Sequence, residues 1–222
     1  MLGGAGLLAW ALAEYVRVRK GELRSARWLA KDLNAFDRAG RRVLRWSAPD
    51  RADRLADLLA YGAAPALCAW ALRRPGERLA DVAARDGFAV TEAAVAAGLV
   101  NQVAKQLAMR ERPCATGVPA KVPLADRFGS FFSGHTSSVA VVTAATAFRR
   151  VWQGAPSTRL WVLPALPLLT AYLRVAADKH YLTDVLAGLA VGGVVALIST
   201  WLDPGLAPAP TLEFDPALAT LQ

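Results

Sequence analysis

The stretch VLAGLAVGGVVALISTWL, residues 185–202, carries no charged side chain and places Gly188, Gly192 and Gly193 along one apolar run. A membrane-crossing helix needs roughly 20 such residues, so a run of this kind either crosses a bilayer or forms a buried helix. Four further charge-poor runs precede it: Leu58 to Leu72, Gly87 to Ala104, Gly134 to Phe148, and Leu160 to Leu173. Taken singly, each fits a helix buried in a soluble protein. Taken together, with Arg73, Arg74, Arg149, Arg150 and Arg159 at their ends and Trp or Tyr near several boundaries, they read as membrane spans. The glycines of the last run permit close helix contact. The expected fold is therefore all-α, a multi-pass transmembrane helical bundle of about five to six spans over residues 55–202. Glu92, inside the second run, either pairs within that bundle or lines a pocket for an apolar tail.

Outward from these runs, the chain is basic. It has 222 residues, 55% of them hydrophobic, with a net charge of +8, a pI near 10.1 and a mean hydropathy of +0.29. This composition excludes a disordered chain. The charge calls for anionic lipid, phosphate or nucleic acid, but no nucleic-acid motif accompanies it, so no nucleic-acid partner is expected. The segment 17–54 holds 12 of the 26 Lys and Arg residues. Leu23, Ala26, Ala30, Leu33, Phe36, Gly40 and Val43 recur there at helical spacing, as in a helix lying on the bilayer surface or a solvated helix packed on the bundle. Residues 1–16 form a short apolar anchor or a signal-like segment, with Ala11-Leu12-Ala13 resembling a cleavage site. Residues 203–222, with four prolines, read as a loose tail. Cys68 and Cys114 define neither a disulfide framework nor a zinc spacing.

Three polar clusters flank the runs. Lys105 is followed after six residues by Arg112-Pro113. Ser133-Gly134-His135-Thr136 opens the third run. Arg174 is followed by His180 and then Asp184. Lys105, Arg112 and Arg174 supply fixed cations, and the planar fork of arginine matches phosphate oxygens. Ser133 and Gly134 begin a helix, whose first N–H groups attract an anion. His180 and Asp184, four apart, share a face if helical, so the carboxylate can fix the ring tautomer and leave the other nitrogen as an activated nucleophile. His135 can then protonate the leaving oxygen. A metal ion is disfavoured by the three cations. If all five runs cross, the three clusters emerge on one side.

The order and spacing of these clusters resemble the signature of the type 2 phosphatidic acid phosphatase superfamily, the lipid phosphate phosphatases. The resemblance covers about residues 55–202. It implies an α-helical fold, a phosphohistidine intermediate on His180 partnered by Asp184, His135 as acid, and phosphate binding by Lys105, Arg112, Ser133, Gly134 and Arg174, with no metal or other cofactor. Phe132 and Leu173 replace the usual proline and serine of the pattern. The implied partner is a lipid phosphate such as phosphatidic acid, phosphatidylglycerol phosphate or undecaprenyl pyrophosphate, distinguished through the segment from Cys114 to Gly129. Phosphotransfer, vanadate-dependent halide oxidation and non-catalytic headgroup binding are the alternatives on the same residues. Family members of this kind sit in the bacterial inner (cell) membrane with the site facing the periplasm or exterior. Positive-inside counting opposes that orientation, since the basic segment shares a side with the motifs, unless the N-terminus is exported.

Overall fold

A computed structural model describes residues 33–116 and 124–206. The anchor or signal-like segment, the first half of the basic segment, most of the tail and part of the expected headgroup-selecting segment lie outside the described residues. Six helices carry the architecture: α1 (Ala35–Leu44), α2 (Pro49–Leu72), α3 (Leu79–Ala108), α4 (Gly134–Trp152), α5 (Ala165–Ala176) and α6 (Leu182–Trp201). All five apolar runs are helical. Single π-helical turns at Leu59–Ala63 and Ala83–Gly87 interrupt α2 and α3. Helices α2, α3, α4 and α6 continue past their runs into polar residues, most clearly α2, which begins nine residues before Leu58, whereas α5 begins inside its run and has 12 residues.

The basic segment supplies two elements rather than one continuous helix. Asn34 caps α1 by accepting the Asp37 N–H at 2.8 Å, and extended backbone at Arg45 ends it. Pro49, pre-set for a first helical turn, opens α2. Within α1, Asp37 and Gly40 are buried against the bundle, whereas the apolar Phe36 and Val43 are exposed.

Among the described residues, α2, α3 and α6 are long and apolar enough to cross a membrane. Helices α4 and α5 do not qualify by length and composition. The reason for α4 is its position: it packs against α2, α3, α5 and α6 and buries Thr136, Ser137, Thr143, Thr146, Arg149 and Arg150. A helix surrounded by protein can carry polar groups that a lipid-facing one cannot. The core is built largely from small residues, Ala60, Ala64, Cys68 and Ala71 on one side of α4 and Ala93, Ala97 and Ala196 on the other. Large apolar side chains point outward instead, including Leu58, Trp70, Phe88, Val103, Leu107, Leu186, Ile198 and Trp201. Small inside and large outside is the packing of helices whose solvent is hydrocarbon, and it marks the chain as membrane-associated.

Gly188 and Gly192 bring α6 onto α4. A Cβ at Gly192 would stand 2.6 Å from the Ala140 Cβ and 2.7 Å from the Ser137 carbonyl oxygen, whereas Gly193 meets nothing. Gly192→Ala is therefore expected to force these helices apart and to cost about 1–3 kcal/mol, with Gly193→Ala close to neutral. Thermal unfolding of both variants in detergent checks the contrast.

Candidate functional site

The site forms where the C-terminus of α3 meets the N-termini of α4 and α6. Helix α3 ends at left-handed Met109 (φ 46°), and the chain runs on through Arg110 to Arg112. That segment is tied to the one before α4: Arg112 N–H donates to the Arg127 carbonyl at 2.8 Å, and Ser130 N–H to the Arg110 carbonyl at 3.1 Å. Ser133 caps α4, its Oγ accepting the Thr136 hydroxyl at 2.9 Å, and its N–H donates to the Asp184 carbonyl at 3.0 Å. Asn101 of α3 donates from Nδ2 to the Phe132 carbonyl at 2.7 Å. Gly134 is needed for this approach, since a Cβ there would lie 3.0 Å from Asn101 Oδ1 and 3.6 Å from Lys105 Nζ. Lys105 thus stands beside the first turn of α4, whose N–H groups have no partner within the helix.

His180 is buried, with Nδ1 2.7 Å from the Ser130 carbonyl oxygen and 3.7 Å from Asp184 Oδ2. A carbonyl can only accept, so Nδ1 carries the proton and Nε2 the lone pair. The backbone of Ser130, rather than Asp184 directly, fixes the tautomer. Asp184 acts one bond further out: Oδ2 accepts the Ser130 hydroxyl at 2.5 Å and the Tyr181 N–H at 2.9 Å. Burial, followed by the charges of Arg112, Arg174 and Lys105, holds the His180 imidazole well below the usual histidine range. Arg112, Arg174 and Lys105 are thus near enough to act on this ring through their charge.

A pH dependence follows. Unfolded His180 takes a proton below about pH 6.5, whereas the folded ring resists it. The stability present above that pH is lost as pH falls toward the depressed folded value, by at most about 1.4 kcal/mol per pH unit from this group. The melting temperature should fall on acidification from pH 7 to 5, and less steeply in His180→Asn.

His135, the second residue of α4, places Nε2 2.8 Å from Asp57 Oδ1, with the Tyr61 ring edge-on at 5.3 Å. Arg174 is enclosed, and its Nη1 lies 2.5 Å from Asp53 Oδ1, while Lys179 Nζ is 3.3 Å from Asp53 Oδ2. Asp53 and Asp57, one turn apart on α2, were not among the predicted residues. Nor was Arg110, whose Nη1 bonds Asp184 and whose Nη2 reaches Asp37 Oδ2 at 2.6 Å. Its guanidinium lies 4.4 Å from the Tyr181 ring centroid. Asp37 also accepts the Thr183 N–H at 2.9 Å, so α1 is coupled through Arg110 and Asp184 to the His180 loop. Asp178, in a left-handed conformation (φ 57°), is held by Arg41 at 2.7 and 2.9 Å and by Arg45 at 3.3 Å. The sequence offered one signal for Asp53 and Asp57: carboxylates spaced four apart just before the apolar run that starts at Leu58.

At the two positions departing from the family pattern the structure has core side chains. Leu173 packs with Ala52, Ala56, Ala176 and Ala177, and Phe132 is 2% exposed. Glu92 lies away from the site, lining a cavity of ≈ 750 Å³ at the opposite end with Arg74, Arg85 and Arg149.

Residues 87–206, more than half the chain, match the family model described as the PAP2 superfamily. The match takes in all three polar clusters and leaves out α1 and α2. No curated protein and no solved structure matches the chain.

Proposed function

We propose, from the premise that this chain belongs to the PAP2 superfamily, that it is a membrane lipid phosphatase working through a phosphohistidine. Members of the family act as phosphatases on phosphorylated substrates. The observation that carries the reading is the buried His180, whose Nδ1 lies 2.7 Å from the Ser130 carbonyl oxygen and leaves Nε2 for attack. The cations and the first turn of α4, at Ser133 and Gly134, hold the phosphoryl oxygens and offset the charge that develops on them. Nε2 of His180 attacks phosphorus in line. As the bond from phosphorus to the leaving oxygen breaks, His135 gives that oxygen a proton. Asp57, bonded to one nitrogen of His135, stabilises the protonated acid form. Water then attacks the phosphohistidine, His135 takes its proton, and inorganic phosphate departs with His180 restored. Asp184 is a positioning residue, acting through Ser130.

The leaving group is the alcohol or phosphate end of a phosphomonoester or pyrophosphate whose apolar tail approaches from the bilayer between helices. The bundle crosses the bacterial inner membrane, with α4 and α5 completing the five spans and the site on the outer side. Arg73, Arg74, Arg78, Arg85, Arg149, Arg150 and Arg159 lie on the opposite side, fewer than the 12 Lys and Arg of residues 17–54 on the site's side, so this orientation requires an exported N-terminus. Arg41 and Arg45, on the site's side, are engaged with Asp178.

Phosphate release from phosphatidic acid, phosphatidylglycerol phosphate and undecaprenyl pyrophosphate, measured with purified protein in detergent, tests the proposal. Turnover of at least one lipid, unchanged by a metal chelator, is the expected result. Lipid binding without phosphate release would refute it.

A further inference from the structure

The end of the bundle opposite His180 is rich in arginine, and most of those charges are matched. Arg149 pairs with Asp86 at 3.1 Å and with Asp203. Arg85 pairs with Asp86 at 2.8 Å and with Glu77. Arg159 donates to the carbonyls of Trp70 and Arg73 at 3.1 and 3.2 Å.

Arg150 differs. It is 7% exposed, and its Nε and Nη1 are enclosed without a hydrogen-bond partner among the described residues. No carboxylate among the described residues forms an ion pair with it. An arginine in the last turn of a helix ordinarily serves the final carbonyls and the negative end of the dipole, yet these two N–H groups reach no carbonyl. Among the described residues, Arg74, Arg85, Arg159 and Asp86 act on Arg150 through their charge. Asp86 already accepts from Arg85, Arg149 and Gln153. An enclosed guanidinium with unused donors and cationic neighbours calls for an anion.

The surroundings indicate which anion. Trp161 and Trp70, 85% and 45% exposed, lie at this end, and the Arg159 guanidinium stacks 4.8 Å from the Trp70 ring centroid. Exposed tryptophans of a membrane bundle sit at headgroup depth, where phosphate is the abundant anion. The unused donors Nε and Nη1 lie on different edges of the guanidinium, and each can serve a phosphate oxygen. Fifteen residues of α4 separate Arg150 from His135, about 22 Å along the helix, too far for one headgroup to engage both.

We propose that Arg150, with Arg74 and Arg159, forms a second, non-catalytic phosphate-binding site that takes the headgroup of an anionic phospholipid in the leaflet opposite the catalytic centre.

Thermal unfolding of the full chain in neutral detergent tests this, with added phosphatidylglycerol, phosphatidylcholine or inorganic phosphate. Phosphatidylglycerol at a hundred times its dissociation constant should raise the wild-type melting temperature by about 5 °C. Arg150→Gln should lose that shift while melting no lower without lipid, because it removes an unmatched buried charge. His180→Gln should keep the shift. An Arg150-dependent shift produced fully by inorganic phosphate would keep the site and make the free ion its ligand. Should Arg150→Gln not fold, the Arg74→Gln/Arg159→Gln variant should weaken the phosphatidylglycerol midpoint roughly tenfold. An undiminished shift in these variants, its loss in His180→Gln, or no wild-type response to either anion would overturn the proposal.

Discussion

Replacing His180 with alanine should lower lipid phosphate turnover by about 10⁴-fold or more, because it removes the atom to which phosphorus is transferred. The loss should appear in turnover number rather than in substrate affinity, since Lys105, Arg112 and Arg174 remain to hold the phosphoryl group. The fold should survive. The imidazole donates to a single carbonyl, that of Ser130, and leaving one such acceptor unpaired costs about 1–3 kcal/mol. Steady-state assays alongside a melting curve separate the two effects. A folded His180→Ala protein with ordinary turnover would remove this ring from the chemistry.

Arg110 carries the largest expected effect on stability. It lies between two carboxylates, Asp37 and Asp184, each 0% exposed, and bonds both. Arg110→Leu leaves two enclosed carboxylates without their counter-charge, a change that typically costs about 3–5 kcal/mol. For a chain of this size the melting temperature should drop by about 10 °C. Adding Asp37→Asn to Arg110→Leu should recover part of that drop, because one of the stranded charges is then gone. Equal melting of the single and double variants would mean that the pairs do not couple. Turnover should fall as well, since Asp184 holds the Ser130 hydroxyl, and Ser130 in turn holds the His180 ring.

The helices were legible because an apolar run of this length, free of charge, has few other ways to satisfy its backbone. Their lengths were less legible. A hydropathy reading ends α2 at Leu58, where polar residues begin, whereas Ala52 and Ala56 continue the buried face and keep the helix intact to Pro49. Glycine spacing in α6 foretold close contact, and Gly188 and Gly192 make it, but nothing in the sequence tells them from Gly193, which faces open space.

Within the site, the three clusters were visible because each sits at a fixed spacing on one helix end or loop. Their meeting could be inferred from the alternation of connections alone. What supports them could not. Asp57 lies 78 residues before His135, Asp53 121 before Arg174, Arg41 137 before Asp178 and Asp37 146 before Thr183, all on helices outside the matched region. A carboxylate in a basic segment reads as surface charge until the fold turns it inward. The Ser130 carbonyl is a further case: a backbone acceptor leaves no trace in side-chain pattern, so His180 and Asp184 looked like direct partners when Ser130 stands between them.

Hydrolysis through His180 takes two successive in-line displacements at phosphorus, the first by His180 and the second by water. Each displacement inverts configuration, so the stereochemistry of the released phosphate tests it most directly. With a substrate made chiral at phosphorus by sulfur and oxygen isotopes and turned over in isotopically labelled water, the account predicts net retention. Net inversion would mean that water attacks the substrate in a single step, and His180 would then not be the phosphoryl carrier.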